Sequence, residues 1–385
     1  MSTAKGRGEG ESRLYSAAPP ARRTGGVVCA MEHASVMKGD FDEVCLLLCE
    51  SGYMEELALE KGVPVWSSCF VFHGLRRGGA WTFLRHVGEV VQSRWRYFRK
   101  LRRLLREKPG VLHIHSRAAH TPYALLAGWL ARVPVVVTIH EPGGTGNEAW
   151  LDHWMIRLFA GRVVFLTNTM RNQYPAFMRR RSTVVPNHFP LPDWSLAPSL
   201  RSPPLIAILA RMGPQKGCDV FLQVILRLKE RGLVFKVEIA GGWSSESVRR
   251  ESMAFLEAHG LAERVEDRGL VEDVDSLYRR MDVLLLPSRR DSFPRVVMEA
   301  MCHGLPVVAS RVDGLPEMIQ EGVTGFLVEP EQVEGFADAM ERLLKDSGLR
   351  RRMGQAGRER ARDLFSPDAY RRSMLAVYAD LEAGR

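Results

Sequence analysis

The 385-residue sequence lacks an uninterrupted apolar run long enough to cross a bilayer. Its longest candidate, Tyr123 to Ile139, is broken by Arg132 and Pro134 and falls short of the roughly 18 apolar residues a spanning helix needs. It therefore does not read as an integral membrane protein. Cysteine is sparse: Cys29, Cys45, Cys49, Cys69, Cys218 and Cys302 form no C-x-x-C pair. A zinc site or disulfide scaffold is not expected, and buried free thiols are. The opening MSTAKGRGEGESR has no secretory apolar core, which with reduced thiols points to the cytoplasm. There is no G-x-x-x-x-G-K-[ST] phosphate loop and no repeat at a fixed period. With 45% hydrophobic and 26% charged residues, the chain is neither disordered nor collagen-like nor a coiled coil.

At about 150 residues per domain the length favours two domains, and the charge divides the same way. Residues 1–190 carry 26 Lys+Arg against 15 Asp+Glu, a net of +11, whereas 191–385 carry 28 against 30, a net of −2. The first half should meet an anionic partner, whether nucleic acid, membrane surface or phosphorylated substrate; charge alone does not choose among them.

Both halves alternate short β-branched runs with helical patterns, the signature of parallel sheets. Strands are expected at Leu14–Ala17, Val44–Leu48, Val111–His115, Val133–Ile139 and Val163–Leu166. The second half repeats the scheme at Leu205–Leu209, Val234–Ala240, Val265–Arg268, Val283–Pro287, Val307–Ser310 and Phe326–Val328. Six prolines between Pro186 and Pro204 block helix and central strand alike. The expected organisation is a flexible tail (1–12), a first α/β domain (13–190), a Pro-rich linker (191–203), a second α/β domain (204–365) and a C-terminal helix (366–385) packing back on the first domain. Two doubly wound Rossmann-like domains would face each other across a ligand-binding cleft.

Strand Leu205–Leu209 leads through Arg211, Gly213 and Lys216 into a helix expected from about Asp219 to Arg231. Two cations beside a helix N-terminus suit a diphosphate, although the same residues also read as a solvated loop. The second constellation, Asp291-Ser-Phe-Pro-Arg-Val-Val-Met-Glu299, places Pro294 at the first helical position and the carboxylates at least roughly 12 Å apart at 1.5 Å per residue. Carboxylates accept hydrogen bonds from vicinal hydroxyls, so the pair could hold a sugar ring and a ribose. The plainer reading makes Asp291 a helix cap and Glu299 a surface residue. His113 and His115 share a strand face and read as structural rather than metal-binding without a third ligand. Gly144-Thr-Gly146-Asn-Glu-Ala149 fits a dinucleotide fingerprint but follows a late strand. Asp273-Val-Asp275 imitates a metal-binding D-x-D, yet reads as a cap for a helix from Ser276 to Met281.

ILARMGPQKG, EIAGG, DRGLVEDVDSLYRRMDVLLLPS, RDSFPRVVMEAMCHGLPVVAS and DGLPEMIQEGVTGFLVEP, in this order, resemble the donor-binding domain of family 4 retaining glycosyltransferases with the GT-B fold. TGGVV, VLHIHS, VVVTIHEP and VVPNHFP extend a looser resemblance into the first half. The resemblance implies a metal-independent enzyme without a cofactor, transferring a hexosyl group from a UDP- or GDP-linked sugar to a glycan or lipid-linked acceptor. Cell-envelope polysaccharide or glycolipid synthesis is the implied setting, with no nucleic-acid partner. It also assigns Arg211 and Lys216 to the donor diphosphate, Glu299 to the ribose hydroxyls, and Asp291 with His140 to the transferred sugar. Gly25 and Gly26 become a glycine loop approached by the donor, and the N–H groups of Phe293 and Arg295 remain beside it. Asp291 stands where Glu is usual, and Pro294 and Ala210 where Gly is frequent. An epimerase or phosphorylase on the same architecture, or a non-catalytic glycan- or nucleotide-binding relative, is the alternative.

Finally, Arg94 to Lys108 holds eight cations against Glu107, with Trp95, Phe98, Leu101, Leu104 and Leu105 at helical spacing. Such a helix either docks its apolar stripe on the first sheet or lies on an anionic leaflet, with Arg99, Arg102, Arg103 and Arg106 facing the membrane. The second case makes the protein peripheral on the inner face of the membrane.

Overall fold

The Val, Ile and Leu runs become the strands of two all-parallel sheets in the computed structural model, which describes residues 12–17, 25–48, 53–67, 80–115, 121–140, 147–190, 201–271 and 273–383. The chain divides into two units, Met1–Asn187 with Arg371–Arg385, and His188–Tyr370. In the first unit β1 (Arg13–Ala17), β2 (Glu43–Leu48), β3 (Val65–Ser67), β4 (Val111–His115), β5 (Val135–Ile139), β6 (Arg162–Phe165) and β7 (Ser182–Val184) lie in the order β3-β2-β1-β4-β5-β6-β7. In the second, β8 (Leu205–Leu209), β9 (Lys236–Ala240), β10 (Val265–Gly269), β11 (Val283–Leu286), β12 (Val307–Ser310) and β13 (Gly325–Val328) lie in the order β10-β9-β8-β11-β12-β13. Each order reverses direction once, between β1 and β4 and between β8 and β11. That is the doubly wound α/β plan, whose ligands bind outside the carboxyl ends of the strands at the reversal.

A strand covered on both faces has no polar side, and its alternate residues feed two cores. Leu205, Ala207 and Leu209 of β8 and Leu284 and Leu286 of β11 enter one core with Val297, Met298 and Met301 of helix Arg295–Cys302. Ile206, Ile208, Val283 and Leu285 enter the other, under Phe221, Val224, Ile225 and Leu228 of helix Cys218–Glu230. Cys29, Cys45, Cys218 and Cys302 are buried free thiols, and burial pushes the Cys45 thiol up to about 11; Cys49 and Cys69 lie outside the described residues.

Two short strands, β3 and β7, were not expected. At three residues each they are too short to carry a period-2 pattern, and they exist because β2 and β6 offer paired edges. Of the tail, 1–11 lies outside the described residues, but Ser12 is tied down: its backbone N–H and its hydroxyl both donate to Asp42 Oδ2, at 2.8 and 2.9 Å. Residues 191–200 of the linker lie outside the described residues as well.

Helix Pro367–Ala383 belongs to the first unit from Arg371 onward. Arg371 pairs with Asp40 and Arg162 with Asp380. Tyr378 Oη reaches His113 Nδ1 at 2.7 Å and His33 Nε2 at 2.8 Å, and His113 Nε2 meets Thr138 Oγ1 at 2.7 Å. His113 and His115 stack at 4.1 Å, 24° from parallel. Their in-plane lone pairs therefore run side by side instead of converging on one point, although His33, His113 and His115 bring ring nitrogens within 4.8 Å of one another.

Burial, reinforced by the neighbouring imidazoles, holds both His113 and His115 well below the ordinary histidine value. The folded chain keeps them neutral while the unfolded chain protonates them near pH 6.5, so protons favour unfolding and stability falls as the pH drops below that value. We predict that melting of the first unit moves to lower temperature between pH 7.5 and 5.5, by up to about 1.4 kcal/mol per pH unit for each histidine. Calorimetry across that range checks this, and a flat profile would contradict neutral burial.

Candidate active site

Lys216 and Asp291 come from loops following the two strands that flank the reversal in the second sheet. After β8 the chain runs through exposed Arg211 into a single tight turn, Pro214–Lys216, and then into helix Cys218–Glu230. Gly217 joins them at φ 66°. A Cβ there would stand 2.0 Å from the Pro287 carbonyl oxygen, so only glycine permits this approach to the loop after β11.

The approach brings Lys216 Nζ to 2.5 Å from Asp291 Oδ2, with the Asp291 side chain 10% exposed. Ser288 Oγ donates to the same oxygen at 3.2 Å. The Asp291 N–H donates to Asp313 Oδ2 at 2.9 Å, and Asp313 itself takes a left-handed φ of 45°. Burial pushes the Asp291 carboxyl above its ordinary value, while Lys216 and Ser288 pull it back and Asp313 raises it further. Arg211 makes no ion pair among the described residues, leaving an unneutralised cation five positions before Lys216.

Asp291 is not a helix cap, and Pro294 is not the first helical residue. The helix begins at Arg295 with Pro294 as its N-cap, at φ −68° and ψ 118°, without a side-chain capping bond. The residue before a helix takes extended backbone, which proline supplies readily. The helical rise therefore applies only from Arg295, and Asp291 sits in the preceding loop. Phe293 packs edge-on against Phe365 at 5.7 Å. Glu299 lies one turn into the helix: its Oε2 accepts from Tyr278 Oη at 2.7 Å and its Oε1 lies 3.3 Å from Arg295 Nη2. Burial, then the Glu299 charge, keep the Tyr278 hydroxyl protonated well above its usual range, so it donates to the carboxylate.

Ser288, Asp313 and Tyr278 were not expected at the site. Asp313 lies inside the quoted DGLPE stretch, but its link to the Asp291 backbone depends on loop geometry that no spacing reveals. The D-x-D alternative is occupied otherwise. Asp273 caps helix Val274–Arg280 by accepting from Ser276 N at 3.0 Å, and Asp275 accepts from Arg279 at 2.6 Å and His303 at 2.7 Å. Gly144 and Gly146 lie outside the described residues.

In the first unit, half-buried His140 follows β5, its Nε2 at 3.4 Å from His115 Nδ1. Gly25 and Gly26 are not loop residues: they open helix Gly25–Val36, where first-turn N–H groups have no intrahelical partner.

The basic segment forms part of helix Ala80–Glu107. Tyr97, Phe98, Leu101 and Leu105 are buried, a stripe at spacings of three and four. Trp95 stacks on Phe98 at 5.0 Å but is 55% exposed, so it stands at the edge of the buried stripe and not within it. Arg99, Lys100, Arg103 and Arg106 are exposed, whereas Arg102 is half-buried. No described helix is long and apolar enough to cross a membrane.

Residues 198–360 match the family of Glycosyl transferases group 1, and residues 24–188 match a Glycosyl transferase 4-like domain. D-inositol 3-phosphate glycosyltransferase of Actinosynnema mirum is 30% identical over 322 residues, covering 72% of this chain and 75% of that protein. Alpha-D-kanosaminyltransferase of Streptomyces kanamyceticus is 27% identical over 316 residues, 74% of this chain and 80% of that one. The Corynebacterium efficiens D-inositol 3-phosphate glycosyltransferase is 36% identical over 181 residues, and this chain spans only 42% of its length. Among solved structures, Anabaena HepE in complex with UDP superposes with a TM-score of 0.79 at 17% identity, over 96% of this chain and 100% of that chain. Sucrose-phosphate synthase of Thermosynechococcus elongatus superposes with 0.68 at 19%, over 97% and 100%. These identities speak for the fold, which is GT-B.

Replacing the glycine that lets the two loops meet should be costly. Gly217→Ala is expected to lose about 1–2 kcal/mol for the left-handed conformation alone, plus displacement of the Pro287 carbonyl. The melting temperature of the second unit should fall by at least roughly 2–4 °C; an unchanged melting curve would mean that the two loops are not held together there.

Proposed function

The chain belongs to the group 1 glycosyl transferases, and from that premise we propose that it transfers a hexosyl group, with retention and without a metal ion, from a nucleoside-diphosphate sugar to a glycan or lipid-linked acceptor. The observation that carries this reading is the meeting of Lys216, Asp291 and a helix N-terminus at the reversal between β8 and β11. Backbone N–H groups and a dipole favour anionic oxygens there. Arg211 and Lys216 hold the diphosphate and stabilise the charge that develops on it as the glycosidic bond breaks. Glu299 accepts from the ribose hydroxyls with Tyr278 steadying the carboxylate, and Asp291 accepts from the transferred sugar. For the first unit, the family resemblance assigns His140 to the sugar and Gly25 and Gly26 to the donor. In the front-face route, the departing phosphate takes the acceptor hydroxyl proton, so no side chain needs to act as a dedicated base. That HepE was solved with UDP supports a nucleotide-sugar donor.

Arg211→Ala and Lys216→Ala should each fold and lose turnover by about 10², the scale for removing one preorganised charge from a leaving group. The check is product formation from UDP- and GDP-sugars in the presence of chelator, with the anomeric configuration read by NMR. Near-normal rates in both variants would remove the diphosphate assignment. Activity that vanishes with chelator and returns with manganese would overturn metal independence.

We also infer that the protein works peripherally on the inner face of a membrane, in envelope polysaccharide or glycolipid synthesis. Exposed Arg99, Arg103 and Arg106 follow exposed Trp95 along one face of helix Ala80–Glu107. Each cation near an anionic leaflet contributes about 1 kcal/mol, and an indole sits readily at headgroup level. Salt-sensitive binding to anionic but not neutral vesicles is expected, weakened by replacing Arg99, Arg102, Arg103 and Arg106 with Gln. Equal binding to both vesicle types, or to neither, would leave the helix a structural role only.

A further inference from the structure

We propose that Arg289 is the positioning residue of the donor-phosphate pocket, a clamp that holds the turn bearing Lys216 in register with the loop bearing Asp291. The proposal rests on the donor-site reading above. Arg289 lies two residues before Asp291, yet its side chain reaches back to the element after β8. Its Nη1 donates to the Pro214 carbonyl at 2.6 Å and to Asp219 Oδ1 at 2.8 Å. Its Nη2 donates to Asp219 Oδ2 at 2.7 Å and Glu331 Oε2 at 2.9 Å, and its Nε to Glu331 Oε1 at 2.6 Å. Its backbone N–H donates to the Gln215 carbonyl at 2.9 Å.

A guanidinium has five N–H donors, and here all five are used. Two carboxylates more than neutralise its charge and no donor is left for a phosphate, so Arg289 differs in kind from exposed Arg211. Its partners define its task. Pro214 and Gln215 are the first two residues of the turn that ends in Lys216, and Asp219 is in the first turn of the following helix. Glu331 holds a left-handed φ of 65°, a conformation that is costly for a residue with a Cβ, and from there both of its oxygens engage the guanidinium. Exposed ion pairs add little to stability. What this one adds is position, and a displacement of about 1 Å in a reacting site can cost on the order of 10²-fold. Lysine cannot replace the fork, because it offers one charged point in place of a planar set of donors.

The test uses the full chain with UDP, GDP and the corresponding monophosphates as probes, measured by calorimetry and accompanied by melting curves. For the diphosphate that wild type binds, Arg289→Ala should weaken affinity by about tenfold or more while changing the monophosphate less than about threefold, and Arg289→Lys should not restore it. Glu331→Gly is the second variant. Glycine takes the left-handed backbone without steric strain, which offsets part of the loss of the two Glu331 bonds, so this variant should fold and still weaken diphosphate binding; it carries the test alone if Arg289→Ala does not fold. Diphosphate affinity unchanged in a folded variant, or both nucleotides weakened equally, would overturn the clamp. Wild type binding neither diphosphate would instead sink the donor-site reading, and the clamp with it.

Discussion

A carbonyl oxygen and a missing Cβ govern the second unit. Because Gly217 carries no side chain, the turn after β8 closes on the Pro287 carbonyl, and two loops from different βα units become one surface. Lys216 then reaches Asp291, and the Asp291 backbone is fixed by Asp313. The cation and the carboxylate are therefore set against each other by the fold of the second unit itself, through contacts within and between its two βα loops.

What could be read in the sequence follows from what each element has to bury. Strands such as β8 and β11 lie under two cores, so they appear as unbroken apolar runs and are recognisable without knowledge of their partners. β3 and β7 are three-residue edges defined by the neighbouring strand, and nothing in Val65–Ser67 or Ser182–Val184 marks them in isolation. The site shows the same division. Lys216, Asp291 and Glu299 stand out through the family pattern that their stretches resemble, since by charge alone they read equally as a solvated loop, a helix cap and a surface residue, whereas Tyr278 looks like one more aromatic on an apolar helix face. Trp95 misleads in the opposite direction: three positions before buried Phe98, on which it stacks at 5.0 Å, it passes for part of the stripe, yet it is 55% exposed at the stripe's edge.

The two units also manage buried polarity differently. In the second, the buried carboxylate Asp291 is matched by a cation, and Glu238 is paired with Arg268 and Arg280. In the first, His113 and His115 are held neutral by burial, and His113 is joined to Thr138 and Tyr378. A neutral network avoids the large desolvation cost of an isolated charge, but it requires each hydroxyl to be present.

One of those hydroxyls is encoded far from the rest. Tyr378 follows the whole of the second unit in the chain, as does Leu381, whose side chain fills the space that a Cβ on Gly161 would need. The first unit is therefore not a contiguous stretch of gene. A fragment ending at residue 187 would expose the interior face of β4 and leave His33 and His113 without their phenol. Any chimaera built to exchange the second unit between relatives has to graft 188–370 as an insertion, keeping residues 371–385 with the host they complete. Evolution by recombination faces the same rule, since a single crossover between the units severs this helix from its own interior.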